Sequence, residues 1–394
     1  MKRAKRIFIA CIALLVAGAI WLPCLHLFFA RPASAFYVKK GLSTKARELS
    51  ASQMGLWADP ELRQQEMNRM RVSNAEWDFM ARTYLVWSLA NVGLREPSSK
   101  AACLATMDSI IDETMRLEET NGIYFFLMPY AKARPYMVKP ERSLFLDGEI
   151  AMMLASRRVL DEKPQYKSAL TARVNLIADG LRQSPHLALE SYPDECWTFD
   201  HAVALAAIRV ADYLDGSDHS ALLRDWVAHA RKDLVHPKSG LLVSTFATDG
   251  STGIGPEGST IWMVAHCLQL IDEDFAREQY DRARHELGGT SLGFSYAREW
   301  PDSWKGPPDI DSGPIIPIFE ISAGSSGMAF IGASAFGDDT FLASLNATID
   351  FAGFPSRKAG ALRYCASNRV GDAALFYAAT LGPVWQKVKA DHTP

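Results

Sequence analysis

Residues 190–208 read Glu190-Ser191-Tyr192-Pro193-Asp194-Glu195-Cys196-Trp197-Thr198-Phe199-Asp200-His201-Ala202-Val203-Ala204-Leu205-Ala206-Ala207-Ile208. Four carboxylates, a thiol, an imidazole and three aromatic rings stand directly before a run of small apolar residues. Continued to residue 214, that run lacks a wet face, so it predicts a helix covered on nearly all sides. Polar groups crowded at the start of such a helix are costly unless solvent or a site uses them. A solvated, N-capped loop is the simpler reading. Tyr192, Trp197 and Phe199 count against it, because a merely solvated loop has little use for three rings.

The pattern recurs along the chain. Glu76-Trp77-Asp78 leads into apolar residues 79–90, and Asp147-Gly148-Glu149 into 150–160. Glu257-Gly258-Ser259 leads into 260–271, Ala323-Gly324-Ser325-Ser326-Gly327 into 328–335, and Asn368, Gly371 and Asp372 into 373–381. Each of the first five apolar segments is followed by an amphipathic one, at 101–117, 164–181, 222–234, 274–287 and 339–351. An inner ring of buried helices inside an outer ring with one wet face predicts an all-α fold, the (α/α)6 barrel. No sixth outer helix stands out, unless the segment around 60–70 supplies it. Strand-like runs are short, as at 241–244 and 293–296.

In a ring of parallel helices all amino ends open on one face. Here those ends carry Glu76, Asp78, Asp147, Glu149, 194–201, Glu257, Ser259, Ser325, Asn368 and Asp372, so the expected mouth is polar and acidic over an apolar body, which is a pocket. Capping alone explains some of them, and Ser325 and Asp372 read as N-caps.

The 394 residues are 48% hydrophobic and 22% charged, which permits a large core. Lys2, Arg3, Lys5 and Arg6 precede an apolar run over 7–30. That run is long enough to cross a bilayer and longer than a usual signal-peptide core, and an uncleaved anchor is favoured. Ala33-Ser34-Ala35 keeps a cleaved signal open. Either way the basic end stays inside and the body is exported, to the periplasm or beyond. The division is then a signal-anchor or transmembrane segment at 1–35, a lead-in at 36–75 and the barrel at 76–394. Beyond residue 35 the chain holds 37 basic and 45 acidic residues without a basic stripe, which argues against nucleic acid as a partner. The cysteines show no metal-binding or disulfide spacing, and with no G-x-G-x-x-G after a strand, no P-loop and no H-E-x-x-H neither a metal nor a cofactor is expected.

One connection is too long for a plain helix–helix link. It runs from Tyr296 through Trp300 and Trp304 to Asp311 and Pro314, rich in rings, Pro and Asp. It reads either as a lid or binding wall, with the Trp pair suited to glycan faces, or as a packed plug in the barrel end.

Residues 193–206, together with Asp225-Trp226-Val227 and Lys232-Asp233-Leu234-Val235-His236-Pro237-Lys238-Ser239-Gly240, resemble the linalool dehydratase/isomerase family; 257–275 match more faintly. That resemblance implies an (α/α)6 barrel and cofactor-free acid/base chemistry on a small hydroxylated substrate in an apolar cavity. It places Ser191 and Asp200 where the family has two cysteines, Glu149 where it has a histidine and Ser259 where it has a tyrosine. Cys196 lies nearby but out of register.

Three functions follow as expectations. The favoured one is a lyase or isomerase in which one protonated carboxyl donates to a leaving hydroxyl while an ionised one takes a proton. Two carboxylates in a desolvated mouth repel each other, so one pKa rises and the roles separate. Asp200 and Glu149 are the expected pair, with Asp194 or Glu195 next and His201 as a shuttle or a structural group. Ser191, Tyr192, Cys196, Trp197, Glu257, Ser259, Trp300, Trp304 and Asp311 are the candidate substrate contacts. The second is glycan processing by paired carboxylates with Trp stacking. The third is a non-catalytic envelope binding module. Catalysis loses its basis if Arg142, Arg298 or Arg363 neutralises Asp200, Glu149 or Asp194.

Overall fold

The computed structural model describes residues 2–306 and 312–390. Its helices are α1 (Lys2–Trp21), α2 (Thr44–Ala58), α3 (Pro60–Ser73), α4 (Ala75–Arg95), α5 (Lys100–Asn121), α6 (Leu144–Leu160), α7 (Pro164–Gln183), α8 (Thr198–Asp215), α9 (Ser220–Asp233), α10 (Gly258–Leu268), α11 (Glu273–Glu286), α12 (Ala323–Phe336), α13 (Asp339–Ala352), α14 (Arg369–Thr380) and α15 (Pro383–Ala390). Strands are short two-stranded antiparallel pairs in the connections, such as Gly288–Ser291 with Phe294–Ala297.

Helices α4, α6, α8, α10, α12 and α14 each pack on the next, and α14 closes back on α4. This is the inner ring of an (α/α)6 barrel. Its small residues set how closely the ring draws together: Gly148 of α6 abuts Ala204 of α8, and Gly332 of α12 abuts the Trp262 ring of α10. The covered surface of α6 is complete, with every residue from Leu144 to Leu160 buried.

Outside, α5 covers α4 and α6, α7 covers α6 and α8, α11 covers α10, and α13 covers α12. Helix α9 reaches α8 through Trp226, whose ring stacks on His201 at 6.1 Å. The sixth outer position is filled by the lead-in, α2 on α14 and α3 on α4. Asp59 caps α3 from both Glu61 N and Leu62 N, with Pro60 in its first turn.

The carboxyl end of the ring is plugged by α15. Its Trp385 stacks on the His266 ring at 4.6 Å and donates Nε1 to the His266 carbonyl at 3.2 Å. At the opposite, amino-end face the caps lie a turn earlier than Ser325 and Asp372. Ser322 Oγ accepts from Ser325 N, and Asn368 Oδ1 from Val370 N. Ser325 instead accepts from Trp262 Nε1 at 3.2 Å, and Asp372 from Tyr364 N at 3.0 Å. A cap must precede the first helical residues, and both helices begin earlier than their apolar runs do.

A helical segment at Arg3–Phe28 is long and apolar enough to cross a membrane and is unburied by the protein. Its length, composition and place near the amino terminus match what a signal anchor or a signal peptide requires.

Candidate active site

Glu149 sits in the second turn of the inner helix α6 and Asp200 in the first turn of its neighbour α8. The close Gly148–Ala204 approach brings these two turns together. Glu149 is fully buried, and neither of its carboxylate oxygens has a hydrogen-bond partner among the described residues. Burial raises its pKa well above the usual carboxylate range. The charges of Asp200 and Glu76 raise it further, and Thr83 offsets part of the rise. The Thr83 hydroxyl itself donates to the Met80 carbonyl at 3.0 Å.

Asp200 is 5% exposed, and burial pushes its pKa up to about 7, with the Ser191 hydroxyl pulling the other way. Two carboxyls thus share a desolvated region while differing in their support. Burial favours the protonated form of Glu149, while Asp200 titrates at about 7. Tyr84, Cys267 and Tyr377 lie around the same interior, and burial raises the pKa of each; the Glu149 charge adds to the rise at Tyr84 and Cys267.

The loop before α8 is held from several sides. Glu190 is buried and accepts from Met137 N, Val138 N (both 2.9 Å) and Asp194 N (2.6 Å). Asp194 has φ 55 and accepts from Thr248 N and Oγ1, so its carboxylate ties two loops. Glu195 is half-buried beside Tyr130 and Arg134. Tyr192 donates to Glu76, accepts from Met128 N at 2.9 Å and stacks on Tyr130 at 4.5 Å. Ser191 is buried, and its carbonyl accepts from Tyr136 and Ser143. Cys196 is buried, and burial raises its thiol pKa, so it is neutral. Trp197 follows it, half-buried, with Nε1 unpartnered among the described residues.

His201 braces this loop. Its Nδ1–H donates to the Trp197 carbonyl at 2.7 Å and its Nε2 accepts from Leu189 N at 3.1 Å. Burial lowers its pKa to about 4, so it is neutral, and both ring nitrogens are committed. A proton shuttle needs a free nitrogen, which this ring does not offer.

Across the mouth, Glu257 is buried at the start of α10, its N–H donating to Ser244 Oγ at 3.0 Å. Ser259 donates Oγ and N to Glu299. Glu299, unremarked in the sequence, also accepts from Ser322 and Ser312, so it joins the starts of α10 and α12. Only its chain distance from those helices hid it. Trp300 and Trp304 are half-buried, and Trp304 packs on Gly255, Gly306 and, edge-on at 5.8 Å, His236. Asp311 lies outside the described residues.

None of the three arginines that would have quenched the site does so. Arg142 pairs with Asp147 and Glu118, Arg298 with Asp302 and Glu320, and Arg363 with Glu66. Asp147 is therefore an ion-pair partner of Arg142 and Arg173. Among the described residues no group of three or more His, Cys, Asp or Glu is arranged to hold a metal.

No family model matches the chain. Among solved structures it is similar to a GH76 alpha-mannanase of Bacteroides thetaiotaomicron, at 11% identity and TM-score 0.49, over 79% of this chain and 87% of that one. It is also similar to a family 105 glycoside hydrolase of C. acetobutylicum, at 10% identity and TM-score 0.46, over 85% of this chain and 99% of that one. Both are glycoside hydrolases. The expected preference for a lyase or isomerase over a glycoside hydrolase is corrected by this finding.

Proposed function

We propose that the chain is an envelope glycoside hydrolase, with Glu149 and Asp200 as its carboxyl pair. The carrying observation is the pair itself: two buried carboxyls at the amino ends of adjacent inner helices, Glu149 shifted by burial and by the Asp200 charge toward its protonated form and Asp200 titrating at about 7. Glycosidic bond cleavage uses that division of labour. Glu149 donates its proton to the departing glycosidic oxygen as the bond to the anomeric carbon breaks. Asp200, ionised, supports the other side of that carbon, either directly or by taking a proton from the attacking water. Trp197 offers a half-buried ring at the edge of the same loop for a sugar face.

Both carboxyls are buried, so a glycan reaches them only if the protein opens around them. The apolar amino-terminal segment supports an exported body, which would meet envelope and extracellular glycans. The test is reducing-end release from a panel of polysaccharides by the full-length protein, repeated with Glu149→Gln and Asp200→Asn. Release from at least one glycan, lost by about 100-fold or more in each variant, supports the reading. Release that survives both substitutions removes the pair from the mechanism. No release from any glycan leaves the binding module as the better account.

A further inference from the structure

The end of the apolar amino-terminal segment is packed onto the barrel body. The His26 ring lies edge-on to Phe294 at 6.1 Å and against Gly293. Phe29 reaches Phe294 at 6.3 Å and Phe351 at 5.2 Å, and those two rings stack on each other at 4.9 Å. The hairpin that carries Phe294 is fastened to α13, with Ser344 Oγ donating to the Gly293 carbonyl and Thr348 Oγ1 to the Ser295 carbonyl.

Large apolar side chains are left exposed around this docking point. Leu292 is at the hairpin tip beside Gly293, and Phe351 and Phe354 (70% exposed) stand at the carboxyl end of α13. The short hairpin of Ile315–Ile316 and Ile321–Ser322 packs on strand Phe294–Ala297 and turns Ile316, Ile318 (93% exposed) and Phe319 outward. The hairpin tip and the end of α13 thus present apolar side chains where the amino-terminal segment docks, and the 315–322 hairpin adds more from a neighbouring strand. Clustered apolar exposure of this kind marks an interaction site. Its occupant follows from continuity, because residues 26–29 join it directly to the helix that would cross the membrane.

We propose that Leu292, Ile318, Phe351 and Phe354 form a lipid-contacting face that lays the barrel against the outer surface of the bilayer crossed by its own amino-terminal helix. Apolar side chains at such a surface settle about 5–10 Å into the headgroup–acyl boundary. The anchor then fixes one point of the body and this face fixes its tilt, which holds the barrel mouth at a set orientation to the membrane. The proposal rests on the anchor being retained and is independent of the carboxyl chemistry.

The test uses the full chain in phospholipid vesicles, with a benzophenone amino acid placed singly at Leu292, Ile318 or Phe354. The control position is Leu176, 40% exposed on α7, which covers α6 and α8 rather than α12. Flotation of the vesicles first reads the anchor. Illumination then reads the face, by mass-shifted lipid adducts. Adducts at Leu292 and Phe354 several-fold above Leu176, in chain that floats, are expected. Floating chain with no more adduct at those positions than at Leu176 overturns the face while leaving the anchor standing. Chain that does not float overturns both. Reducing-end release in the same vesicles is unaffected by any of these results, so failure here and failure of the hydrolase reading are told apart.

Discussion

Gly148 of α6 faces Ala204 of α8 so closely that a Cβ on the glycine would stand 3.0 Å from the alanine Cβ and 3.3 Å from its Cα and backbone nitrogen. Backbone atoms cannot yield as a flexible side chain does. Gly148→Ala gains about 0.5–1 kcal/mol of helix propensity but incurs about 1–3 kcal/mol of overpacking. The expected outcome is a lower Tm, falling further in Gly148→Val, with loss of turnover as Glu149 is displaced from Asp200. Unchanged Tm in both variants would contradict the close packing that builds the site.

The buried carboxyl pair lowers stability as pH rises. An unfolded Asp200 ionises near 4, whereas the folded one ionises at about 7. Between those values the folded state holds a proton that the unfolded state has released, so stability is lost as pH rises through that window. Asp200→Asn removes the loss. At pH 8 the variant is expected to melt higher than the parent, by at most about 4 kcal/mol, while near pH 4 the two coincide. Thermal melts across pH check this. A variant that is less stable at pH 8 would show that Asp200 is supported in its charged form.

His201 works in the opposite direction. Its unfolded form takes a proton near 6.5, while burial holds the folded ring neutral down to about 4. Stability is therefore lost as pH falls from 6.5 toward 4. His201→Phe keeps the ring against Trp226 but leaves Leu189 N–H and the Trp197 carbonyl without partners. The expected cost is about 2–4 kcal/mol at pH 7, with a shallower decline below pH 6.5. The pH profile of turnover should keep its shape; a lost limb would instead assign the ring a proton-transfer role.

At the other end of the barrel, Trp385→Ala removes the plug that stacks on His266. It should lower stability by about 3–5 kcal/mol, and hydrogen exchange should accelerate first in α14 and α15. Slow exchange retained there would mean that α15 contributes little to closing the ring.

Much of this architecture is legible in the chain because its cause is local. Ala202 to Ile208 can only be an inside helix, and the same argument works for the other five inner segments. Asp200 and Glu149 stand out because each is polar at the head of an apolar run. What was hidden depends on distance along the chain. Thr83 sits two turns into α4 and gives no sign in the sequence that it offsets part of the rise at Glu149. Glu299 lies 40 residues from Ser259, its partner across the mouth. His201 stands beside Asp200, yet its two backbone bonds, not its neighbours in sequence, decide its role. Helix α15 is short and follows Gly382, so only its packing reveals it as the plug. The short caps of α12 and α14 escaped because the apolar runs begin a turn after the helices do.

The protonation of Glu149 is the point on which the hydrolase account stands or falls. A difference infrared spectrum of the parent protein minus Glu149→Gln at pH 7 isolates that one side chain. The account predicts the carbonyl stretch of a protonated, buried carboxylic acid. A carboxylate band in its place at pH 7 would show an ionised Glu149 and contradict its role as the proton donor.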